Sequence, residues 1–176
     1  MLIIDTKLAN VNSIYNMLKF LDIKAKISND IDEIYKADKL IIPGVGSFDE
    51  GIKNLAPLKE VIIQKSKNTP LLGICLGMQV MCKNSKEGDK KGFGFFDVEV
   101  EKFENTHIGW NCVDKNLYYF MHTYYVPVNK YTLSIAKFEN IEFSAIIKKD
   151  NILGVQFHPE KSHKFGLQFF KDFNEI

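Results

Sequence analysis

The sequence predicts an α/β fold built on a central, mostly parallel sheet. In the first half of the chain, short apolar segments alternate with stretches whose apolar residues recur at helical spacing. In the second half, strand-like segments follow one another with short loops. Alternating strands and helices favour a parallel, doubly wound sheet, and the second half adds antiparallel or mixed strands.

The first half contains the elements of the parallel sheet. Its predicted strands are Leu2–Asp5, Lys24–Ile27, Leu40–Ile42 and Leu71–Ile74. Helices are predicted from the spacing of Val11, Ile14, Tyr15, Leu18 and Leu21, around Ile31–Tyr35, over Asp49–Lys67, and from Leu76 onward, with Cys82 on that last helix.

The second half is rich in predicted strands. They are Gly94–Phe103, Gly109–Val113, Tyr118–Val126, Leu133–Phe138, Phe143–Lys148 and the apolar segment Ile152–Phe157, before a closing helix over Ser162–Phe173. No internal repeat, low-complexity tract or linker interrupts the chain. Residues 1–176 are therefore expected to form a single domain.

The composition argues against several classes of function. The chain is 45% hydrophobic and 26% charged with a net charge of +1, so no basic field indicates nucleic-acid binding. No apolar run approaches the ~20 residues that a membrane span requires. The start, MLIIDTK, lacks a basic n-region and is interpreted as a first strand, not a signal peptide. Three cysteines without disulfide or zinc spacing favour the reducing cytoplasm.

The stretch Pro70–Gln79, PLLGICLGMQ, places a cysteine between two glycines where an apolar strand ends. Because glycine serves where the backbone turns tightly or packs closely, Gly73 and Gly77 indicate a nucleophile elbow with Cys75 at its tip. The sulfur would then lie at the carboxyl end of the sheet, where a following helix favours the reactive thiolate. A lone cysteine is more often inert and buried, and that interpretation suits Cys82.

A second motif, GVQFHPEKS at Gly154–Ser162, also follows an apolar strand. His158 would reach the same edge of the sheet as Cys75, and Glu160 is placed to accept a hydrogen bond from its imidazole. Such a bond fixes the tautomer and steadies the imidazolium, as the third group of a catalytic triad does. Alone, H-P-E is an ordinary surface turn. Together with the elbow, it predicts a triad of Cys75, His158 and Glu160.

A third signal is PGVG at Pro43–Gly46, which ends another buried strand. Its glycines permit the Val45 peptide to turn its N–H toward a reacting carbonyl. With the N–H of Leu76, it would form a two-donor oxyanion hole for acyl transfer. A plain turn or a phosphate-binding loop are the alternatives, but the sequence has neither G-K-[ST] nor G-x-G-x-x-G, so nucleotide binding is the weakest.

Five segments together resemble the triad-type, or class I, glutamine amidotransferases. They are PGVGSFDEG, PLLGICLGMQ, HIGWN, YYFMHTYYV and GVQFHPEKS. The resemblance runs from Met1 to about Phe173 and is greatest to the glutaminase subunits of imidazole glycerol phosphate synthases. It implies a three-layer, flavodoxin-like fold, with helices on both faces of the mostly parallel sheet and additional antiparallel strands.

The resemblance also implies an activity and its residues. Cys75 would attack the carboxamide of glutamine, His158 would carry the proton to the departing ammonia, and Glu160 would orient His158. The glutamine-binding residues implied by the family are Gly44, Gln79, Glu87, Thr123 and Tyr124. No cofactor and no metal is implied.

In the family, the ammonia passes to a separate (β/α)₈ barrel cyclase subunit in histidine biosynthesis. The positions that match the surface facing this partner are Asn10, Trp110, Tyr119 and Lys161. For Trp110, a place in the core is the alternative, which composition alone favours.

Two segments depart from the family pattern. The first loop usually reads D-Y-G-x-G-N, whereas Asp5–Asn10 reads DTKLAN, and the segment before HIGWN is short. These departures keep a second hypothesis open, in which a paralogue supplies ammonia to another synthetase, such as one that amidates a surface sugar. A cysteine hydrolase or peptidase of the same fold is the third hypothesis, and Gln79 and the M-H-T-Y segment argue against it.

Overall fold

The computed structural model describes residues 1–176. The strands are β1 Leu2–Ile4, β2 Lys26–Ser28, β3 Leu40–Gly44, β4 Leu71–Cys75, β5 Cys82–Ser85, β6 Phe96–Val113, β7 Asn116–Tyr125, β8 Thr132–Phe138, β9 Ile141–Lys149 and β10 Ile152–Val155. The α-helices are α1 Val11–Phe20, α2 Ile31–Lys36, α3 Phe48–Leu55, α4 Lys59–Lys65, α5 Leu76–Val80 and α6 His163–Glu175. Short 3₁₀ turns cover Ala56–Leu58 and Pro159–Lys161. A membrane crossing would need a longer and more apolar helix than any of these.

A seven-stranded sheet forms the centre of the molecule, in the order β2-β1-β3-β4-β10-β9-β8. The first five strands in that order pair in parallel, and β9 and β8 add antiparallel pairs at one side. The predicted mostly parallel sheet with additional antiparallel strands is confirmed. Because β10 lies beside β4, the segments that follow these two strands meet at the same sheet edge.

Helices cover both faces of this sheet, as the alternation of side chains along the strands indicates. Ile42 of β3 packs into a core with residues of α2 to α5, whereas its neighbour Ile41 packs on the opposite side with residues of α1 and α6. Ile3 and Ile4 of β1 divide in the same way between the two cores. The strands are therefore buried on both faces, which explains their continuous apolar sequences.

A smaller three-stranded sheet, in the order β5-β6-β7, stands beside the main sheet. The two strands predicted at Gly94–Phe103 and Gly109–Val113 are one long strand, β6. The prediction of a break between them was wrong. The pairing of β6 with β7 shifts between Lys102 and His107, so the extra residues are absorbed as a bulge and the strand continues.

The helix predicted over Asp49–Lys67 is interrupted. Helices α3 and α4 are separated by the 3₁₀ turn that contains Pro57, because proline has no N–H for the interior of a continuous helix. The helix after Leu76 is also shorter than predicted. It ends at Val80, so Cys82 begins β5 and does not share a helix face with Cys75.

Candidate active site

Cys75 occupies the turn between β4 and α5 with a strained backbone. Its φ of 54° and ψ of −110° lie in a region that L-residues rarely adopt. The flanking glycines serve a different need, because α5 packs directly on the sheet. A Cβ on Gly77 would lie 1.8 Å from the carbonyl oxygen of Ile42, and one on Gly73 would lie 2.7 Å from Gly77. Close packing therefore requires the glycines, and the positive φ falls on the cysteine itself.

His158 follows β10 and reaches the edge of the sheet where Cys75 lies. Its Nδ1 is 2.8 Å from Oε1 of Glu160, and both side chains are buried. The backbone around His158 is also fixed, because its N–H donates to the carbonyl of Tyr119 at 2.8 Å. The Ser162 hydroxyl accepts from the Tyr119 N–H at 3.0 Å and donates to the His158 carbonyl at 2.6 Å.

The charge state of His158 is governed by Cys75 and Glu160. Burial alone lowers the pKa of His158, but the charge and hydrogen bonding of Cys75, and then of Glu160, outweigh burial and raise the pKa to about 10. Its Nε2 is buried and makes no hydrogen bond of normal geometry to another protein atom, so the effect of Cys75 on His158 is chiefly one of charge. With the Cys75 sulfur as a thiolate, the imidazole is therefore protonated at neutral pH, and Nε2 holds a transferable proton.

The other two cysteines lack this environment. Cys82 is fully buried, and burial raises the pKa of its thiol to about 12. Cys112 is exposed on β6. Neither has a histidine–glutamate pair such as His158–Glu160 beside it. That Cys75 is the nucleophile stays a prediction, which covalent labelling can test.

A cleft of about 210 Å³ opens above Cys75. Among the residues singled out from the sequence, Val45, Cys75, Leu76, Gln79, Glu87, Thr123 and Tyr124 line it. Gly46, Thr106, Met121 and His122 line it as well and were not predicted. Gly44 is not among the residues that line the cleft, and a Cβ there would be 2.8 Å from Cβ of Leu76, so its contact with glutamine stays a prediction.

The polar groups of the cleft are held by defined contacts. Nε2 of Gln79 donates to the carbonyl of Tyr124 at 2.8 Å and to Oε1 of Gln156 at 3.2 Å, which leaves Oε1 of Gln79 as its free polar atom. Glu87 accepts the N–H of Phe48 at 2.7 Å, and burial, only partly offset by this bond, raises the pKa of Glu87. The cleft thus offers acceptors suited to an ammonium group.

The two predicted oxyanion donors differ in their state. Leu76 is the first residue of α5, so its N–H has no partner within the helix. The N–H of Val45, in contrast, donates to the carbonyl of Leu8 at 3.2 Å. Leu8 belongs to the loop Asp5–Asn10, whose sequence departs from the family pattern. The second donor is therefore engaged by this loop.

The predicted partner-facing residues form a surface cluster next to the site. Trp110 is 47% exposed and stacks on His163 at 5.3 Å between ring centroids, so it is not a core residue. Tyr119 meets Trp110 edge-on at 5.8 Å, and Nζ of Lys161 lies 5.7 Å from the Tyr119 ring. Asn10 lies with Lys161 and His158 around a small cavity of about 40 Å³.

Several buried polar residues around the cleft escaped the sequence reasoning. His107 and His122 are hydrogen-bonded at 3.1 Å, and His122 also contacts the carbonyl of Tyr124 at 2.9 Å. Gln156 contacts Cys75 and Gln79. The only signal was a polar residue inside an apolar strand segment, as in GVQFH, because such residues are buried only when they are hydrogen-bonded.

The fold and the site define a class of protein. It is an α/β protein with a cysteine at a strand-to-helix turn and a histidine–glutamate pair beside it. The sequence profile of the family "Glutamine amidotransferase class-I" matches residues 2–175. The chain belongs to the class-I glutamine amidotransferase family, and the predictions of that family and of a glutamine amidotransferase enzyme are confirmed.

Three similar proteins carry the name of the same synthase subunit within this family. The chain is 44% identical to imidazole glycerol phosphate synthase subunit HisH 2 of Methanococcus maripaludis, over 97% of this chain and 96% of the relative. It is 38% identical to subunit HisH 2 of Pseudomonas aeruginosa, over 99% and 98%. It is 40% identical to subunit HisH of Buchnera aphidicola, over 99% and 98%.

Solved structures support the fold at lower sequence identity. A crystal structure of a glutamine amidotransferase superposes with a TM-score of 0.79 at 16% identity, covering 99% of both chains. A glutamine amidotransferase from Thermotoga maritima superposes with a TM-score of 0.60 at 16% identity, covering 99% of this chain and 83% of the other.

Proposed function

We propose that this chain is the glutaminase subunit of an imidazole glycerol phosphate synthase. It hydrolyses glutamine to glutamate and ammonia and passes the ammonia to a (β/α)₈ barrel cyclase subunit. The observation that carries the proposal is the buried His158–Glu160 pair at 2.8 Å beside Cys75, the residue that lines the cleft. The names and the near-complete coverage of the relatives support the choice of synthase.

In the proposed chemistry, the Cys75 thiolate attacks the carboxamide carbon of glutamine. The oxygen gains negative charge. The backbone N–H of Leu76 stabilises it, and so does that of Val45 once it has turned away from the carbonyl of Leu8. Protonated His158 gives its Nε2 proton to the departing nitrogen, which leaves as ammonia, and a thioester remains on Cys75. His158, now neutral, takes a proton from water as the water attacks the thioester. Glutamate leaves, and the thiolate and imidazolium are restored.

Glu160 keeps His158 in the required tautomer throughout this cycle. The bond from Nδ1–H to Glu160 leaves Nε2 to exchange the proton. In the cleft, Oε1 of Gln79 and the carboxylate of Glu87 accept from the α-ammonium group of glutamine. Thr123 and the backbone at Tyr124 hold the α-carboxylate.

The proposed partner surface lies next to the point of ammonia release. A cavity of about 40 Å³ is lined by His158 together with Asn10 and Lys161, which supports release toward the cluster of Trp110 and Tyr119. We further propose that residues 1–176 act as a single glutaminase domain, in the cytoplasm, in a heterodimer with the barrel.

The test is covalent labelling combined with activity. A glutamine-mimicking electrophile such as a diazo-ketone analogue should modify Cys75 and spare Cys82 and Cys112, as peptide mapping would report. Glutaminase activity should disappear in Cys75→Ala and nearly so in His158→Ala, since members of one catalytic unit are not additive. Glu160→Ala should cost less. Labelling of Cys82 or Cys112 in place of Cys75 would refute the assignment.

A second candidate function keeps the glutaminase chemistry and changes the acceptor of the ammonia. Two observations favour it. The loop Asp5–Asn10 departs from the family pattern, and two of the relatives carry the number 2 in their names. In this case the chain supplies ammonia to another synthetase, such as one that amidates a surface sugar. Binding to the two kinds of synthetase distinguishes the candidates.

A further inference from the structure

Gln156 joins the cysteine to the floor of the cleft. Its side chain is fully buried at the end of the central strands, two residues before His158. Its Oε1 accepts a hydrogen bond from Nε2 of Gln79 at 3.2 Å, and its Nε2 donates to Sγ of Cys75 at 3.6 Å. Its backbone N–H donates to the carbonyl of Ala145 in β9 at 2.9 Å, so the residue is anchored in the sheet.

The direction of these hydrogen bonds follows from one carbonyl. The carbonyl of Tyr124 can only accept, so the side-chain atom of Gln79 that lies 2.8 Å from it must be the amide nitrogen. That same nitrogen faces Gln156, which must therefore present its oxygen. The amide nitrogen of Gln156 is then left to face Cys75. This orientation fixes the last hydrogen bond, in which the side-chain N–H of Gln156 donates to the sulfur of Cys75.

The sulfur of Cys75 thus has neighbours with opposite preferences. The carbonyl oxygen of Met121, 3.8 Å away, accepts from the neutral thiol and disfavours a thiolate. The N–H of Gln156 favours the thiolate because it donates to the negative charge. We propose that Gln156 is a positioning residue that stabilises the thiolate of Cys75 and fixes the sulfur at the base of the cleft. This inference rests on the proposed role of Cys75 as the nucleophile.

The test measures the pH dependence of alkylation at Cys75. Iodoacetamide is applied to the full chain in a Cys112→Ser background, so that the exposed thiol does not contribute. In Gln156→Leu the midpoint should move to higher pH by about one unit, a roughly tenfold smaller thiolate fraction at a given pH. Gln156→Glu should move it further, because its carboxylate repels the thiolate. Both variants keep the other titratable groups near Cys75, which are His158 and Glu160 beside it and His122 and Glu87 in the lining of the cleft.

Gln168→Leu is the matched control, since Gln168 is on α6 and bonds only to exposed Asp172. It should keep the midpoint of the parent chain. Glutamine kinetics should show kcat reduced in both Gln156 variants, with KM nearly unchanged in Gln156→Glu, which keeps an oxygen to accept from Gln79. A folded Gln156→Leu or Gln156→Glu variant with the parent midpoint would overturn the inference.

Two further measurements keep the inference falsifiable. Should neither variant fold, the Cys112→Ser chain with Gln156 intact decides by NMR. The side-chain amide resonance of Gln156 should shift with pH together with the ultraviolet absorbance of the thiolate, and an independent course would refute the contact. Failure of the proposed function looks different. In that case the chain with its barrel does not hydrolyse glutamine, or Cys75→Ala remains active, whatever the midpoint of alkylation.

Discussion

Cys75 carries its side chain on a backbone that suits glycine. A residue held at such a φ and ψ costs about 1–3 kcal/mol, and the cysteine bears this cost in the folded state. Cys75→Gly should relieve it, although glycine gives back about 0.5–1 kcal/mol through the freedom of the unfolded chain. We therefore expect Cys75→Gly to be about 1 kcal/mol more stable than Cys75→Ala, as measured by urea unfolding.

Cys112 provides the control for this comparison, because it lies in the extended strand β6. There glycine should be the less stable variant by about 0.5–1 kcal/mol relative to alanine. If the order at position 75 matched the order at position 112, the backbone at Cys75 would not be strained.

His107 and His122 make stability depend on pH. Burial lowers the pKa of His107 to about 4 and, with smaller contributions from neighbouring histidines, that of His122 to about 3, from 6.5 when unfolded. Between these values the unfolded chain binds more protons than the folded chain, so stability falls as the pH decreases below about 6.5. His107→Gln, which keeps a donor toward His122 but cannot titrate, should flatten this decrease in thermal melts from pH 6.5 to 4.

Exposed His163 gives the matched control. His163→Gln should leave the slope of melting temperature against pH unchanged. A His107→Gln variant that retained the full wild-type slope would mean that carboxylates alone set the acid sensitivity.

The residues of the site differ in how far the sequence predicts them. The glycines on either side of Cys75 and the H-P-E turn are local patterns, so their proposed chemistry can be inferred from fewer than ten consecutive residues. Gln156 and His107 act through hydrogen bonds to positions 81 and 15 residues away, respectively, and no local pattern announces them. A local pattern can therefore single out the proposed triad, whereas the buried residues that contact it are visible only in the folded structure.

At the scale of elements, the loop Asp5–Asn10 holds the N–H of Val45, the proposed second oxyanion donor. The Val45 N–H is bonded to the carbonyl of Leu8, whose side chain packs against the core that contains α3 and α5. We expect the isolated chain to hydrolyse glutamine slowly. A partner subunit with its own ligand bound should activate it by favouring the conformation in which the Val45 N–H points into the site. Such a change in population needs only a few kcal/mol of differential binding. Leu8→Gly should loosen the loop, raise the basal rate several-fold and reduce the activation by the partner.

Lys7→Gly is the control for this prediction, because Lys7 is exposed and already has a positive φ of 61°. It changes the same loop and removes the exposed ion pair of Lys7 with Asp5 but no core packing, so the basal rate should stay near that of the wild type. If the free chain hydrolysed glutamine as fast as the complex does, activation through the Val45 peptide would be contradicted.

Element boundaries were predicted well where the pattern was strong. The parallel strands and α1 follow from continuous or periodic apolar residues. The break at Pro57 was missed because apolar spacing continues across it, and the long strand β6 was missed because its bulge interrupts the alternation. That bulge brings Thr106 to the cleft, where its hydroxyl lies 2.9 Å from that of Thr123.

At the scale of the whole molecule, the partner decides the function. If the chain serves the histidine pathway, it should restore growth without histidine to a strain lacking its glutaminase subunit, provided that the matching barrel is co-expressed. The physical reason is the intact surface cluster of Trp110, Tyr119 and Lys161 beside the site. Growth rescue and binding to the barrel are measured together with binding to a sugar-amidating synthetase.

The opposing outcome is equally definite. A central interface residue that no longer fits costs about 2 kcal/mol or more, roughly thirtyfold in affinity. Bulkier residues in Asp5–Asn10 are the place for such a loss. No rescue, with intact glutaminase activity and selective binding to the sugar-amidating synthetase, would favour the second candidate function.

The position of β10 determines how late the site can form while the chain is being synthesised. This strand is late in the sequence, yet it inserts between β4 and β9 and so completes the middle of the sheet. On the ribosome, the segment that bears Cys75 emerges well before the strand that brings His158. In a nascent chain without β10, the edges of β4 and β9 are unpaired, and Cys75 has no histidine beside it. The sheet can be completed only by contacts between distant segments, which form slowly. If His158 serves Cys75 as proposed, the emerging polypeptide cannot release ammonia before β10 has joined the sheet.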